Sequence, residues 1–239
     1  MTDVYEEFLA DYPDYVSTHA IDALRAREYR RLEDQQQVYL DYTGGSLHAE
    51  SQVLEHARLL NEHIFGNPHS ASPSSHSMTK LVEQARRAVL DWFNASPDEY
   101  VAIFTANATG ALKHVAESYP FSPGAGLLLT VDNHNSVNGI RQFAHGRGAP
   151  VEYAPLTLPE LRIDRASLDA MLAAPSTGPG LFAFPAQSNF TGVKHPLELI
   201  ELAHTRGWDV LVDAASFAPT SRLDLSQVKP DFVSISFYK

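Results

Sequence analysis

No cysteine occurs anywhere in the 239 residues. That absence removes disulfides, thiolate metal sites and a cysteine nucleophile from the chemistry these residues can supply. Basic residues are scarce beside acidic ones, 18 Lys and Arg against 29 Asp and Glu, for a formal charge of −11. They are also scattered. No basic run or stripe could neutralise several phosphates, which argues against a nucleic-acid surface and favours small-molecule partners. No apolar run approaches the roughly 20 residues that a membrane span requires. The acidic start, MTDVYEEFLADYPDY, lacks the basic-then-apolar order of a signal peptide. A cytoplasmic location is the resulting expectation, under which the Asn-x-Ser/Thr triplets at Asn94, Asn107 and Asn189 are chance matches. The eleven histidines form no His-Glu-x-x-His pair, so metal binding finds no support. Gly-x-Gly-x-x-Gly and Walker sequences are missing as well. The stretch SPGAG (122–126) precedes a strand-like run where a phosphate loop should follow one.

What is present is a chain with 44% hydrophobic residues, enough to bury a sizeable core. Residues 1–36 read as an N-terminal helical arm, with Ile21, Leu24, Tyr29 and Leu32 near one face among charges. Tyr5, Phe8, Tyr12 and Tyr15 are spaced in it so that they could anchor a second subunit. Residues 37–239 form the main domain. In it, short runs rich in Val, Ile, Leu and Phe alternate with helix-like segments: 38–42, 100–105, 126–131, 151–154, 180–184, 208–213 and 231–237. Several runs show no polar alternation, which predicts strands covered on both faces, a mostly parallel sheet in a three-layer α/β sandwich. Helices are predicted over 76–93, over 167–180 ending in a Pro/Gly-rich loop, and over 196–207, where Pro196 opens and Gly207 closes the segment.

In such a sheet, ligands bind outside the carboxyl ends of the strands. After 100–105 comes ANATGALK, with Ala108 and Thr109 at a strand-to-helix turn that either cradles a phosphate or simply caps the helix. After 126–131 comes DNHNSVNG, which places His134 at a strand end, in a functional or a purely structural role. After 180–184, the segment PAQSNFTG places Gln187, Ser188 and Asn189 likewise, as ligands or as turn formers. The run WDVLVD ends on Asp213, a carboxylate that needs a partner if buried. The last run, DFVSISFYK, ends on Lys239, whose amine would lose a proton more easily when desolvated and so suits Schiff-base chemistry. An amine, a carboxylate, a flat ring and an anion site together are what pyridoxal phosphate requires.

The segments YLDYTGGS (39–46), GNPHS (66–70), VAIFTANATGALK (101–113), DNHNSV (132–137), SNFTG (188–192), VLVDAASFAPTSRLDLS (210–226) and PDFVSISFYK (230–239) carry a family resemblance. In order and spacing the chain resembles the class V aminotransferase family of fold-type I pyridoxal-phosphate enzymes, and within it the cysteine-desulfurase-like domain of molybdenum cofactor sulfurases. The resemblance implies that Lys239 holds the cofactor as an internal aldimine and that Asp213 pairs with its pyridinium nitrogen. It implies that His134 stacks on the ring and Asn189 bonds its 3-hydroxyl. Ala108, Thr109 and Ser236 would bind the phosphate. Cysteine desulfurases usually carry Gln three residues after that aspartate and His just before the lysine; here those positions are Ser216, also counted with the cofactor site, and Tyr238.

The expected activity is that of a pyridoxal-phosphate-dependent transferase or lyase acting on an amino acid, with sulfurtransferase-like desulfuration of L-cysteine as the leading reaction. Transamination, β-elimination or epimerisation on the same cofactor are the alternatives, followed by a non-catalytic α/β binding module or an inactive fragment. The resemblance also implies a homodimer. It further implies that a final strand, a small C-terminal domain, a substrate-binding arginine and the persulfide-forming cysteine lie past residue 239.

Overall fold

The computed structural model describes residues 4–174 and 177–239. It opens with helices α1 (Val4–Asp11), a 3-10 turn (Pro13–Thr18), α2 (His19–Glu28) and α3 (Arg31–Asp34). Next come α4 (Glu50–Glu62), α5 (Pro73–Trp92) and α6 (Ala108–Ser118). The alternating part follows: β1 (Leu127–Thr130), α7 (Asn135–Asn138), α8 (Ile140–Gly146) and β2 (Val151–Ala154), then the antiparallel pair β3 (Leu156–Thr157) and β4 (Arg162–Ile163). It closes with α9 (Arg165–Leu172), β5 (Gly180–Pro185), α10 (Leu199–Thr205), β6 (Trp208–Asp213) and β7 (Phe232–Ser234). Among the described residues no helix is long and apolar enough to cross a membrane.

Five strands form one sheet in the order β2-β1-β5-β6-β7, every pair parallel. The absence of polar alternation has the expected cause. All residues of β1 and β5 are buried, and successive side chains enter two different cores. Leu128, Phe182, Phe184, Val210 and Val212 pack with Leu168, Leu172, Leu199 and Ile200 on one face. Leu127, Leu129, Leu181, Ala183 and Leu211 pack with Leu112, Ala116, Val137, Ile140 and Ala144 on the other. Each fully buried Leu or Phe contributes about 1.5–3 kcal/mol relative to exposure, so these two layers of side chains fix the sheet between its helices. At the entry to β5 a Cβ on Gly180 would stand 2.4 Å from Trp208 Cε3. Glycine is needed there so that the indole can lie across the strand, where its Nε1 donates to the Leu172 carbonyl at 3.0 Å.

Two predicted strands are not strands. Residues 38–42 and 100–105 carry no ladder bonds, and most of their apolar side chains are exposed, Leu40 at 83% and Val101 at 77%. A β-rich composition produces a strand only where a neighbouring backbone is available to pair with it. Here 100–105 lines a groove of about 860 Å³ that residues of the edge strand β7 also line, among them Val101, Ile103 and Phe104 with Phe232 and Val233. Strand β7 itself is shorter than the predicted 231–237, because its partner β6 ends at Asp213, paired with Ser234.

Helix ends shift for local reasons. Helix α5 begins at Pro73 rather than 76 because Ser72 Oγ accepts the Ser75 N–H and proline suits the first turn. Helix α9 starts at Arg165 behind its Asp164 cap and ends at Leu172, while Pro175 and Ser176 of the predicted Pro/Gly-rich loop lie outside the described residues. Pro196 heads a turn before α10 rather than its first turn, whereas Gly207, at φ +78°, does follow the end of that helix. The N-terminal helices are tied to the remainder by Glu28, whose Oε2 accepts the Ser51 N–H at the start of α4 at 2.9 Å.

Candidate active site

Parallel strands deliver their carboxyl ends to one edge of the sheet, and the predicted site residues follow those ends. Asp213 closes β6 with its side chain buried, Oδ1 accepting the Ala215 N–H at 3.0 Å. Burial pushes this carboxyl above the usual range; the Ala215 N–H and the nearby His134 and Lys239 side chains offset that only in part. A buried carboxylate in this state favours a further cationic or N–H donor, and Oδ2 is the oxygen left to receive it. Lys239, half-buried five residues past β7, donates from Nζ to Ser216 Oγ at 3.4 Å. Ser216, standing where desulfurases usually have Gln, is thus brought to the lysine. Tyr238 is brought to the loop at Gly45: a Cβ there would meet its ring at 3.3 Å, and the Tyr238 carbonyl accepts the Ser46 N–H at 2.7 Å.

His134 caps α7 with an exposed ring. Its Nδ1 accepts the Ser136 N–H at 3.2 Å and lies 3.0 Å from Ser136 Oγ. In its neutral form the ring therefore carries its proton on Nε2. Ser136 Oγ lies 2.7 Å from Thr109 Oγ1, so this serine joins the histidine to the start of α6. There the Asn107 side chain accepts the Gly110 N–H at 2.9 Å, leaving the Ala108 and Thr109 N–H groups at an eleven-residue helix's positive end for an anion. Buried Ser236 lines the same groove as Asn107 and Ala108. Asn189, partly buried, sits in the loop after β5, a turn closed by the Gly192 N–H donating to the Ser188 carbonyl at 2.9 Å.

The structure thus gathers His134, Asp213, Lys239 and Ser216 at one centre, with Thr109 linked through Ser136. Asn189, Ala108 and Ser236 stand at neighbouring loop and helix starts without a direct bond to that centre. Ser136 is absent from the sequence-based candidates. A serine two residues after a histidine at a helix start is the signal that could have found it, since that spacing lets the ring accept the serine N–H.

An amine, a buried carboxylate, an imidazole and a helix N-terminus at the carboxyl edge of a covered parallel sheet are the arrangement of the fold-type I pyridoxal-phosphate transferases, a three-layer α/β class. Within that class the chain belongs to the class-V aminotransferase family, whose profile, aminotransferase class-V, matches residues 38–239. It is 38% identical to a molybdenum cofactor sulfurase of Solanum lycopersicum over 98% of this chain and 33% of that protein. To the molybdenum cofactor sulfurase of Bos taurus it is 42% identical over 90% of this chain and 26% of that protein. Among solved structures it is similar to a cysteine desulfurase of Thermococcus onnurineus, with TM-score 0.79 and 25% identity over 91% of this chain and 53% of that one. A cysteine desulfurase of Escherichia coli gives TM-score 0.74 and 27% identity over 91% and 54%. The chain therefore spans about a third or less of the length of these curated relatives and about half of the solved ones.

Proposed function

We propose that this chain is the cofactor-binding part of a pyridoxal-phosphate enzyme that removes sulfur from L-cysteine and passes it on. The observation that carries the reading is Asp213, a carboxylate buried at the end of β6 with its acidity weakened by burial and with Lys239 and His134 as neighbours. A pyridinium N–H is the donor such a carboxylate fits. In this reading Lys239 is the amine that carries the cofactor, and His134 covers the ring with its exposed imidazole. Asn189 meets the 3-hydroxyl. The Ala108 and Thr109 N–H groups, with Ser236, receive the phosphate.

Bound at this place, pyridoxal phosphate supplies an electron-withdrawing ring that stabilises negative charge at the Cα of an attached amino acid. The chain's own residues do the rest. Asp213 holds the ring nitrogen protonated. The Lys239 amine would be the group that carries a proton to or from the substrate Cα. His134, with its proton on Nε2, is a hydrogen-bond donor on the face it covers. That two similar solved structures are cysteine desulfurases supports cysteine as the substrate.

Three further points belong to this proposal: a homodimer, a cytoplasmic location, and a division into an arm (1–36) and a cofactor-binding domain (37–239). The exposed cluster of Phe8, Tyr12 and Tyr15, with the Phe8 ring centroid 5.0 Å from each tyrosine ring, supports a second chain resting on the arm.

The test is incubation of the full-length protein with L-cysteine and excess thiol reductant, whose thiols accept the sulfur, reduce it to sulfide and are oxidised to the disulfide. Release of equimolar sulfide and alanine is expected; pyruvate with ammonia, or a keto acid, would overturn desulfuration in favour of elimination or transamination.

A further inference from the structure

His134 and Asn189 ride on two separate loops, and the sheet holds neither directly, since β1 ends at Thr130 and β5 at Pro185. Beyond those ends the loops are bound to each other. His195 Nε2 lies 2.8 Å from Asp132 Oδ2, with the two side chains only 1% and 2% exposed. Asp132 stands two residues before His134, and His195 stands six after Asn189. Weaker ties surround this contact. Asn133 Nδ2 donates to the Ala183 carbonyl at 2.9 Å, the His195 N–H donates to the Ala186 carbonyl at 3.0 Å, and Ser188 Oγ donates to the Asp132 carbonyl at 3.4 Å.

Of these ties, Asp132 with His195 is the one made between two buried titratable side chains, and a charge-assisted hydrogen bond away from water is the strong kind. Burial alone would raise the Asp132 carboxyl, but the hydrogen bond and charge of His195 hold it below the usual carboxylate range, so it stays ionised against its partner. Neither residue reaches the groups assigned a chemical role above. Their effect has to pass through the loops they join.

We propose that Asp132 and His195 are a positioning pair that locks the His134 loop to the Asn189 loop, so that the ring-covering imidazole and the amide are presented to the cofactor as one preformed unit. The ligand half of this rests on the pyridoxal-phosphate reading; the locking of the loops does not. An imidazole and an amide displaced by even about 1 Å lose much of what preorganisation gives, about ten- to a hundredfold in function.

The experiment compares the wild-type full chain with His195→Leu, His195→Gln and Asp132→Asn by hydrogen exchange of the cofactor-free protein, then by titration with pyridoxal 5'-phosphate followed by its absorption spectrum. His195→Leu and Asp132→Asn are expected to speed exchange about tenfold in peptides over both 131–139 and 186–195. They should weaken cofactor binding about tenfold or more and shift the absorption band of what still binds. His195→Gln keeps an N–H donor and should restore most of both, which also covers the case in which His195→Leu does not fold. Faster exchange in only one of the two loops would overturn the proposal. So would loosened loops with wild-type affinity and spectrum, because the pair would then serve the fold alone. A wild type that takes up no pyridoxal phosphate would defeat the cofactor reading and the ligand half with it, while the exchange rates would still decide whether the pair locks the loops.

Discussion

Thr109 Oγ1 and Ser136 Oγ lie 2.7 Å apart, although 27 residues separate them in the chain. Ser136 Oγ is also 3.0 Å from His134 Nδ1, so one hydroxyl joins the start of α6 to the imidazole. Ser136→Ala removes the hydroxyl but keeps the backbone N–H that Nδ1 accepts. The tautomer of His134 should therefore survive while its link to the helix is lost. A single such hydrogen bond is worth about 0.5–1.5 kcal/mol net. Pyridoxal 5'-phosphate affinity should accordingly fall about three- to tenfold, read by spectrophotometric titration, with the melting temperature little changed.

Asp213→Asn should lose most activity and gain stability in the cofactor-free chain. The sign follows from linkage. Burial raises the folded carboxyl above its unfolded value, so the folded state holds its proton more tightly. Stability from this group is present at low pH and is lost as pH rises from the unfolded pKa through the folded one. Asparagine keeps the shape and the acceptor for the Ala215 N–H but has no charge to bury. Thermal melts of the cofactor-free protein should show Asp213→Asn at or above wild type at pH 7, with the gap closing toward pH 4. A variant less stable at pH 7 would show that the Ala215 N–H and the neighbouring His134 and Lys239 side chains outweigh burial.

Glu28 makes the opposite pH prediction. The Arg27 hydrogen bond, followed by the Ser51 N–H, lowers its carboxyl to about 2. Its contribution is therefore present above the ordinary carboxylate pKa and is lost as pH falls from there toward 2. The Oε2 that accepts the Ser51 N–H joins α2 to α4, so acid should loosen the N-terminal helices before the sheet. Hydrogen exchange on 19–62 should accelerate between about pH 4.5 and 2, and Glu28→Gln should shrink that pH dependence.

Gly180→Ala tests the entry to β5. The added Cβ would meet Trp208 Cε3 at 2.4 Å, and the indole has little room to yield, since its Nε1 is bonded to the Leu172 carbonyl. Overpacking of this kind costs about 1–3 kcal/mol. Urea unfolding should show that loss with an unchanged slope, and pyridoxal 5'-phosphate affinity should hold, because the clash lies at the opposite end of β5 from the site.

The sheet could be read in the sequence where burial on both faces left continuous apolar runs, as in β1, β5 and β6, and the strand ends then located His134, Asn189, Asp213 and Lys239. Composition alone failed at 38–42 and 100–105, because a strand is made by its neighbour and none pairs with these segments here. The same limit hid the ties between loops. Ser136 with Thr109 and Asp132 with His195 join residues 27 and 63 apart, and no periodicity records such a pairing. Helix starts moved for a smaller reason, single caps such as Ser72 and Asp164.

Lys239 is the residue on which the proposed chemistry depends most directly. Its hydrogen bond to Ser216 Oγ, at 3.4 Å, is long, so the amine is lightly held and free to react with an aldehyde. Borohydride treatment of full-length protein mixed with pyridoxal 5'-phosphate should fix the cofactor to this lysine, identified by the mass of its peptide. Lys239→Ala should abolish that mass increase and all turnover while the protein still folds, because the hydrogen bond it removes, to Ser216 Oγ at 3.4 Å, is long. Ser216→Ala should leave the attachment intact and change turnover by no more than about tenfold, as expected for the loss of one weak hydrogen bond. Attachment of the cofactor at another lysine, with Lys239 unmodified, would remove the basis for assigning it as the reactive amine.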